Sequence, residues 1–214
     1  MADETSHAQH DANRELRVYD RSQSIVFAKT NEPFGGLSNM AGGYPLVVDK
    51  FRALTAEALY QACRFPHSPE IQRQILEQRS PIMAKAISRR FDEQTRPDWD
   101  NVRVKIMRWC LRVKLVQNRD TFGSLLLSTT DLPLVEYTKK DVFWGARPAA
   151  EGRLVGRNVL GRLLMELRDA LNNRPAELAA VSPVPIPNFT LLSQPITSVT
   201  VIGKKEPTIG DIFG

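Results

Sequence analysis

The sequence predicts a fold in which helices outweigh a few short strands, gathered into one domain with an appendage at each end. Three observations carry that prediction. The chain of 214 residues exceeds the usual ~100–150 of one domain and falls short of two. Hydrophobic residues make up 42% and charged residues 25%, which suits a sizeable core in water. Apolar positions recur at helical spacing in two long windows, whereas the strand-like stretches are short.

The first stretch, MADETSHAQHDANRE, is polar and lacks the basic-then-apolar order of a secretory leader, so a disordered tail over 1–22 and a cytoplasmic protein are expected. SIVFAK (Ser24–Lys29) reads as a strand, TNEPFGGLSNMAGG as a turn-rich loop, and YPLVVDKFRAL as one or two further strands. LTAEALYQACRF has helical spacing with Thr55 as N-cap and stops before Pro66. Ser68-Pro69 and Ser80-Pro81 each place a capping residue before a proline at the first helical position, which predicts two short helices. Asp98 is the expected cap of a long helix from Trp99 to Gln117, with Val102, Ile106, Trp109, Val113 and Val116 as its core-facing stripe. TFGSLLL predicts a short helix, LPLVEYT a strand, and NVLGRLLMELRDAL a last helix with Leu160, Leu163, Leu164, Leu167 and Leu171 in period. Residues 173–214 are proline-spaced and then polar, an extension expected to wrap on the domain or trail from it.

Several function classes are disfavoured. No apolar run approaches the roughly 18–20 residues of a membrane span. Cys63 and Cys110 sit in apolar helical patterns and read as core thiols. His7, His10 and His67 have no Cys or His partner at ligand spacing, so no metal is expected. The net charge of +5 permits a polyanionic partner, and on charge alone a solvated basic surface is the better reading.

Chemistry can reside in three places. Glu57, Gln61 and Arg64 stand at i, i+4 and i+7, which puts an acid, an amide and a guanidinium on one helix face; the plainer reading is an exposed intrahelical pairing. In KKDVFWGARPAAEGRLVGRNVLG, Asp141 precedes Phe143 and Trp144, Gly145 allows close approach, and Asn158 stands at a helix entrance; a core plug and an N-cap are the alternatives for Trp144 and Asn158. In KTNEPFGGLSN, Lys29, Gly36, Ser38 and Asn39 could cradle phosphate, or form only a turn. Trp99 is placed to pack, or to stack on a base.

The blocks FGGLSNMA, TAEALYQACRF, RPDWDNVRVKIMRWCLRVKLVQN, LVEYTKKDVFWG and GRNVLGRLLMELR, in that order between Phe27 and about Leu171, resemble the signature blocks of the NADAR family. The resemblance implies an α+β, mostly helical domain and a metal-free, cofactor-free N-glycosidase that cleaves a C1′–N bond. It places the family's acidic helix position on Glu57, within Ala56-Glu57-Ala58 where Ser-Glu-His is usual, its Asp-x-x-Trp-Gly block on Asp141, Trp144 and Gly145, and its Gly-x-Asn block on Gly156 and Asn158.

On that basis Glu57 is expected to activate water or stabilise the sugar cation, and Asp141 to hold ribose hydroxyls or transfer a proton. Lys29 would neutralise phosphate or attack the opened sugar as a Schiff-base amine. Gly36, Ser38, Asn39, Gln61, Arg64, Trp99, Trp144, Gly145 and Asn158 are expected to bind substrate. Three functions follow: removal of ADP-ribose from guanine in nucleic acid, with a cognate ADP-ribosyltransferase toxin as counterpart; hydrolysis of an early riboflavin intermediate; or a non-catalytic reader of ADP-ribose or NAD. Arg147, Arg153, Arg157 and Arg162 near the proposed rim suit the first.

Overall fold

The computed structural model describes residues 16–201. The tail over 1–15 and the polar end after Val201 lie outside the described residues. The described residues form six α-helices, one of them central: α1 (Ala56–Ala62), α2 (Pro69–Leu76), α3 (Pro81–Arg90), α4 (Trp99–Gln117), α5 (Ser124–Leu127) and α6 (Val159–Asn173). The helix α4 is the core's axis. Its predicted stripe Val102, Ile106, Trp109, Val113 and Val116 is buried, and Met107, Cys110, Leu111 and Leu115 widen the buried face.

Each helix start has a local cause. Thr55 Oγ1 accepts the Ala58 N–H at 3.2 Å, and Ser80 caps α3 by accepting the Met83 N–H. Asp98 departs from its expected role as a cap. Its carboxylate instead takes Arg96, at 2.6 Å from Nε to Oδ1 and 3.0 Å from Nη2 to Oδ2, so α4 begins without a side-chain cap.

The strands are short. The strand β2 (Ile25–Phe27) pairs in parallel with β5 (Leu134–Glu136), joining two of the predicted strands across more than a hundred residues of chain. The YPLVVDKFRAL stretch forms a hairpin of β3 (Leu46–Val48) and β4 (Phe51–Ala53). The tail boundary at residue 22 is corrected: Arg17–Asp20 is strand β1, antiparallel to β7 (Arg153–Gly156), which also takes β6 (Arg147–Pro148) on its other edge. Tyr19 is buried there with Leu154, a partnership no local pattern in RVYD announces.

The extension after Asn173 is packed on the domain over its described length. Two pairs of strands, β8 (Ala180–Val181) with β11 (Val199–Thr200) and β9 (Thr190–Leu191) with β10 (Gln194–Pro195), bury Val181, Leu191 and Val199. Phe189 meets Trp109 edge-on at 5.0 Å, the fully buried Gln72 donates to the Thr190 carbonyl and accepts the Leu192 N–H, and Arg96 donates to the Pro187 carbonyl. This strap covers the side of α4 that carries Lys105 and Trp109. Arg103 and Met107, two residues away and so roughly 200° round the helix, face a cleft instead.

Candidate active site

The α1 helix is too short to expose a face: all seven residues are buried, the acid and amide included. Glu57 is 6% exposed and sits in the first turn, where backbone N–H groups favour a negative charge. Its carboxylate is oriented by a chain of donors. Gln61 Nε2 donates to Glu57 Oε1 at 2.9 Å. The Gln61 carbonyl oxygen accepts from Ser88 Oγ at 2.6 Å and from Arg64 Nη1 at 3.3 Å, which fixes which end of the amide meets the acid. Arg64 is itself held by Ser88, Asp92 and Thr95, each at 2.9 Å. The predicted i, i+4, i+7 trio is therefore a buried relay running from α3 to the Glu57 oxygen.

The second acid comes from β5. Glu136 ends the strand, half-buried, with its N–H donated to Asn158 Oδ1 at 3.1 Å, and Asn158 Nδ2 donates to the Leu134 carbonyl at 2.8 Å. The Asn158 amide thus serves as a further strand on the edge of β5 opposite β2. It holds a left-handed backbone, φ 49°, which asparagine tolerates better than most residues. Gly161 makes the approach possible, because a Cβ there would stand 2.1 Å from the Leu134 carbonyl oxygen. Burial pushes the Glu136 carboxyl up to about 7, helped by the charges of Glu57 and Asp141 and opposed by Lys85.

Asp141 occupies the exposed lip. Its Oδ1 accepts the N–H groups of both Phe143 (2.9 Å) and Trp144 (3.0 Å), so the carboxylate shapes the turn that presents the two aromatics. Trp144 turns edge-on to Tyr60 at 5.7 Å, and Tyr60 packs on Trp99 at 5.0 Å. Burial and the Glu57 charge push the Tyr60 phenol far up, which keeps it neutral.

These groups line one cavity of about 430 Å³. Glu57, Glu136 and Asp141 share it with Asn39, Gln61, Trp99 and Trp144, and four cations, Arg64, Lys85, Arg89 and Arg103, share the wall. Lys85 stands 3.9 Å from Glu57 and is 41% exposed on its side chain. Carboxylates against a planar aromatic wall suit a sugar that develops positive charge beside a flat leaving group. The cations suit phosphate on the same molecule.

Of the residues expected in the site, Glu57, Asp141, Asn39, Gln61, Arg64, Trp99 and Trp144 are brought together. Five are placed elsewhere. Lys29 is 74% exposed on its side chain and paired with Glu32 at 2.9 Å outside the cavity lining, so neither phosphate neutralisation nor Schiff-base attack is carried by this geometry. Gly36 packs its α-carbon against Tyr44 and Leu125, and the carbonyls of Gly36 and Ser38 accept the buried Lys114 ammonium at 2.6 and 3.1 Å. The FGGLSN loop is therefore tied inward from behind, and of its residues Asn39 lines the cleft. Gly145 lies against the Glu136 carbonyl, and Asn158 is fully buried on β5; both position Glu136 and lie outside the cavity lining. Glu136, Lys85, Arg89 and Arg103 were not anticipated as site residues. The signal for Glu136 was present: an acid closing an apolar strand in LPLVEYT has to face either solvent or a site.

Comparison with known proteins gives the family. The NADAR domain family model matches residues 26–172. N-glycosidase YbiA of Escherichia coli is 35% identical over 147 residues, which cover 69% of this chain and 88% of YbiA. A Nostoc punctiforme N-glycosidase is 34% identical over 152 residues, 70% of this chain and 94% of the relative. A riboflavin biosynthesis protein of Vibrio vulnificus is 35% identical over 159 residues, 73% of this chain and 41% of that longer protein. The NMR structure of Escherichia coli YbiA superposes with a TM-score of 0.60 at 32% identity, covering 72% of this chain and 89% of that one. The chain belongs to the NADAR domain family and to its N-glycosidases.

Proposed function

We propose that this N-glycosidase removes ADP-ribose from guanine in nucleic acid. The observation that carries the reading is the composition of the cleft: Glu57, Glu136 and Asp141 with a tryptophan-lined wall for the sugar and base, beside Lys85, Arg89 and Arg103 for a diphosphate, while the fourth cation, Arg64, is paired with the fourth acid, Asp92. Glu136, protonated near neutral pH, donates to the departing exocyclic nitrogen as the C1′–N bond breaks. Glu57, held by Gln61, offsets the positive charge of the oxocarbenium-like sugar and takes a proton from the water that adds to C1′. Asp141 accepts from the ribose hydroxyls, while Trp99 and Trp144 flank the base and limit water. The modification has to be installed by an ADP-ribosyltransferase acting on guanine, which is the expected counterpart enzyme.

Incubation with guanine-ADP-ribosylated DNA should release free ADP-ribose and restore unmodified guanine. Absence of release, with turnover of an early riboflavin intermediate instead, would overturn this reading. That second substrate class is favoured by the likeness to the Vibrio vulnificus protein. Glu57→Gln should retain binding of the modified oligonucleotide and lose hydrolysis, which separates an enzyme from a reader.

A further inference from the structure

A second groove of about 440 Å³ lies beside the cleft, and its charge is one-sided. Arg17 from β1, Arg108 from α4, Arg157 and Arg162 line it with a single acid, Glu166. The cleft, by contrast, sets its four cations against Glu57, Asp92, Glu136 and Asp141. Arg108 is matched by Glu166 in a bidentate pair, Nε to Oε1 at 2.8 Å and Nη2 to Oε2 at 3.1 Å. Arg17 and Arg162 are exposed and have no ion-pair partner among the described residues. Arg17 and Arg162 therefore bring positive charge to the groove that no described residue pairs.

The groove and the cleft share a partition. Phe143 lines the groove and Trp144 the cleft, edge-on to one another at 5.0 Å. Two guanidinium groups lie over the Phe143 ring, that of Arg103, which lines the cleft, at 4.0 Å and that of Arg157, which lines the groove, at 4.6 Å. The arginine groove thus adjoins the cleft across a single pair of rings. We propose that Arg17 and Arg162 bind the phosphodiester backbone of a nucleic acid flanking the modified guanine, an inference that rests on the nucleic-acid reading above. A small nucleotide substrate would occupy the cleft and leave the groove untouched.

The test compares wild type with the Arg17→Ala/Arg162→Ala double variant, two exposed positions whose loss leaves the core intact. Binding of an unmodified single-stranded oligonucleotide is followed by fluorescence anisotropy across a salt series, independently of turnover. The double variant should bind at least tenfold more weakly, and the slope of log K against log salt should fall by about 1.4, at roughly 0.7 per phosphate contact. In parallel, the KM for an ADP-ribosylated oligonucleotide should rise by a similar factor, while hydrolysis of an ADP-ribosylated guanosine nucleotide stays as in wild type. Equal affinity and salt slope in the two proteins would overturn the groove assignment, as would an equal loss on the long and short substrates. Intact oligonucleotide binding that depends on the groove, without hydrolysis of either modified guanine, would overturn the substrate reading and leave the groove standing.

Discussion

Replacing Glu136 by Gln tests the central physical claim, that a carboxyl at the end of β5 is held protonated near neutral pH by burial and by two neighbouring acids. A rise from 4.5 to about 7 is 2.5 pH units, or roughly 3 kcal/mol at 1.36 kcal/mol per unit. Solvent at the cleft mouth screens part of this, and about 2 kcal/mol is expected between pH 5 and 8.5. The folded state binds the extra proton between the two values, so this contribution is fully present below pH 4.5 and is lost as pH rises through about 7. Glutamine keeps the shape and cannot ionise. Denaturant unfolding at pH 5 and 8.5 should therefore show the variant gaining about 2 kcal/mol over wild type across that interval. Loss of a general acid should also lower kcat about 10²-fold and remove the fall in activity through pH 7. Carboxyl NMR would report the titration directly. A Glu136 midpoint near 4.5, or a variant within twofold of wild-type kcat, would refute the reasoning.

Gln61→Ala removes the amide that orients Glu57 and should cut kcat about 10- to 100-fold with little change in KM, the scale seen when a positioning partner of a catalytic group is lost, as read by steady-state kinetics. Asp141→Asn keeps an acceptor for the Phe143 and Trp144 N–H groups while removing a charge that raises Glu136; the alkaline limb of the pH–rate profile should move to lower pH by up to about one unit, whereas Asp141→Ala should also weaken Trp144 fluorescence anisotropy through a looser turn. Asn158→Ala leaves two backbone groups of β5 without partners and puts alanine at φ 49°, a loss of about 2–4 kcal/mol measurable by denaturant unfolding. Phe189→Ala opens the contact between the strap and Trp109 and should cost about 3 kcal/mol in the same measurement while leaving kcat near wild type.

Local physics made most of the elements legible. The helical periods over Trp99–Gln117 and Val159–Asn173 and the Thr55 cap appear in the structure where the pattern put them. What escaped were features created by partners distant in sequence. Strand β1 exists because β7 offers an edge to RVYD, and the strap is ordered because Gln72, Arg96 and Trp109 present complementary groups. The same distinction runs through the site. Glu57, Gln61 and Arg64 are legible because one helix and the turn that ends it carry all three, whereas the strand-end position of Lys29 says nothing about which way the following turn leaves, and the structure pairs it with Glu32. Asn158 illustrates the subtler case. Its residue type is required, but for its amide's fit to β5 and its left-handed backbone, and sequence alone cannot separate that from a ligand contact.

The adjacency of Asp141 to Phe143 and Trp144 has a reason that joins these observations. An acid and two aromatics side by side conflict as solvents for one another, unless the acid's oxygen is occupied by the backbone of the aromatics themselves. That is the arrangement here: Oδ1 accepts both N–H groups, and the turn it fixes sends Trp144 towards Tyr60 and Phe143 beneath Arg103 and Arg157. One carboxylate thereby sets the wall between a charge-balanced cleft and a basic groove. Because carboxylates stabilise a sugar cation best where water is scarce, and phosphates are attracted most where acids are scarce, the two tasks need separate compartments. The Phe143–Trp144 pair supplies the boundary, and its position follows from a two-residue spacing that is visible in the sequence as Asp-Val-Phe-Trp.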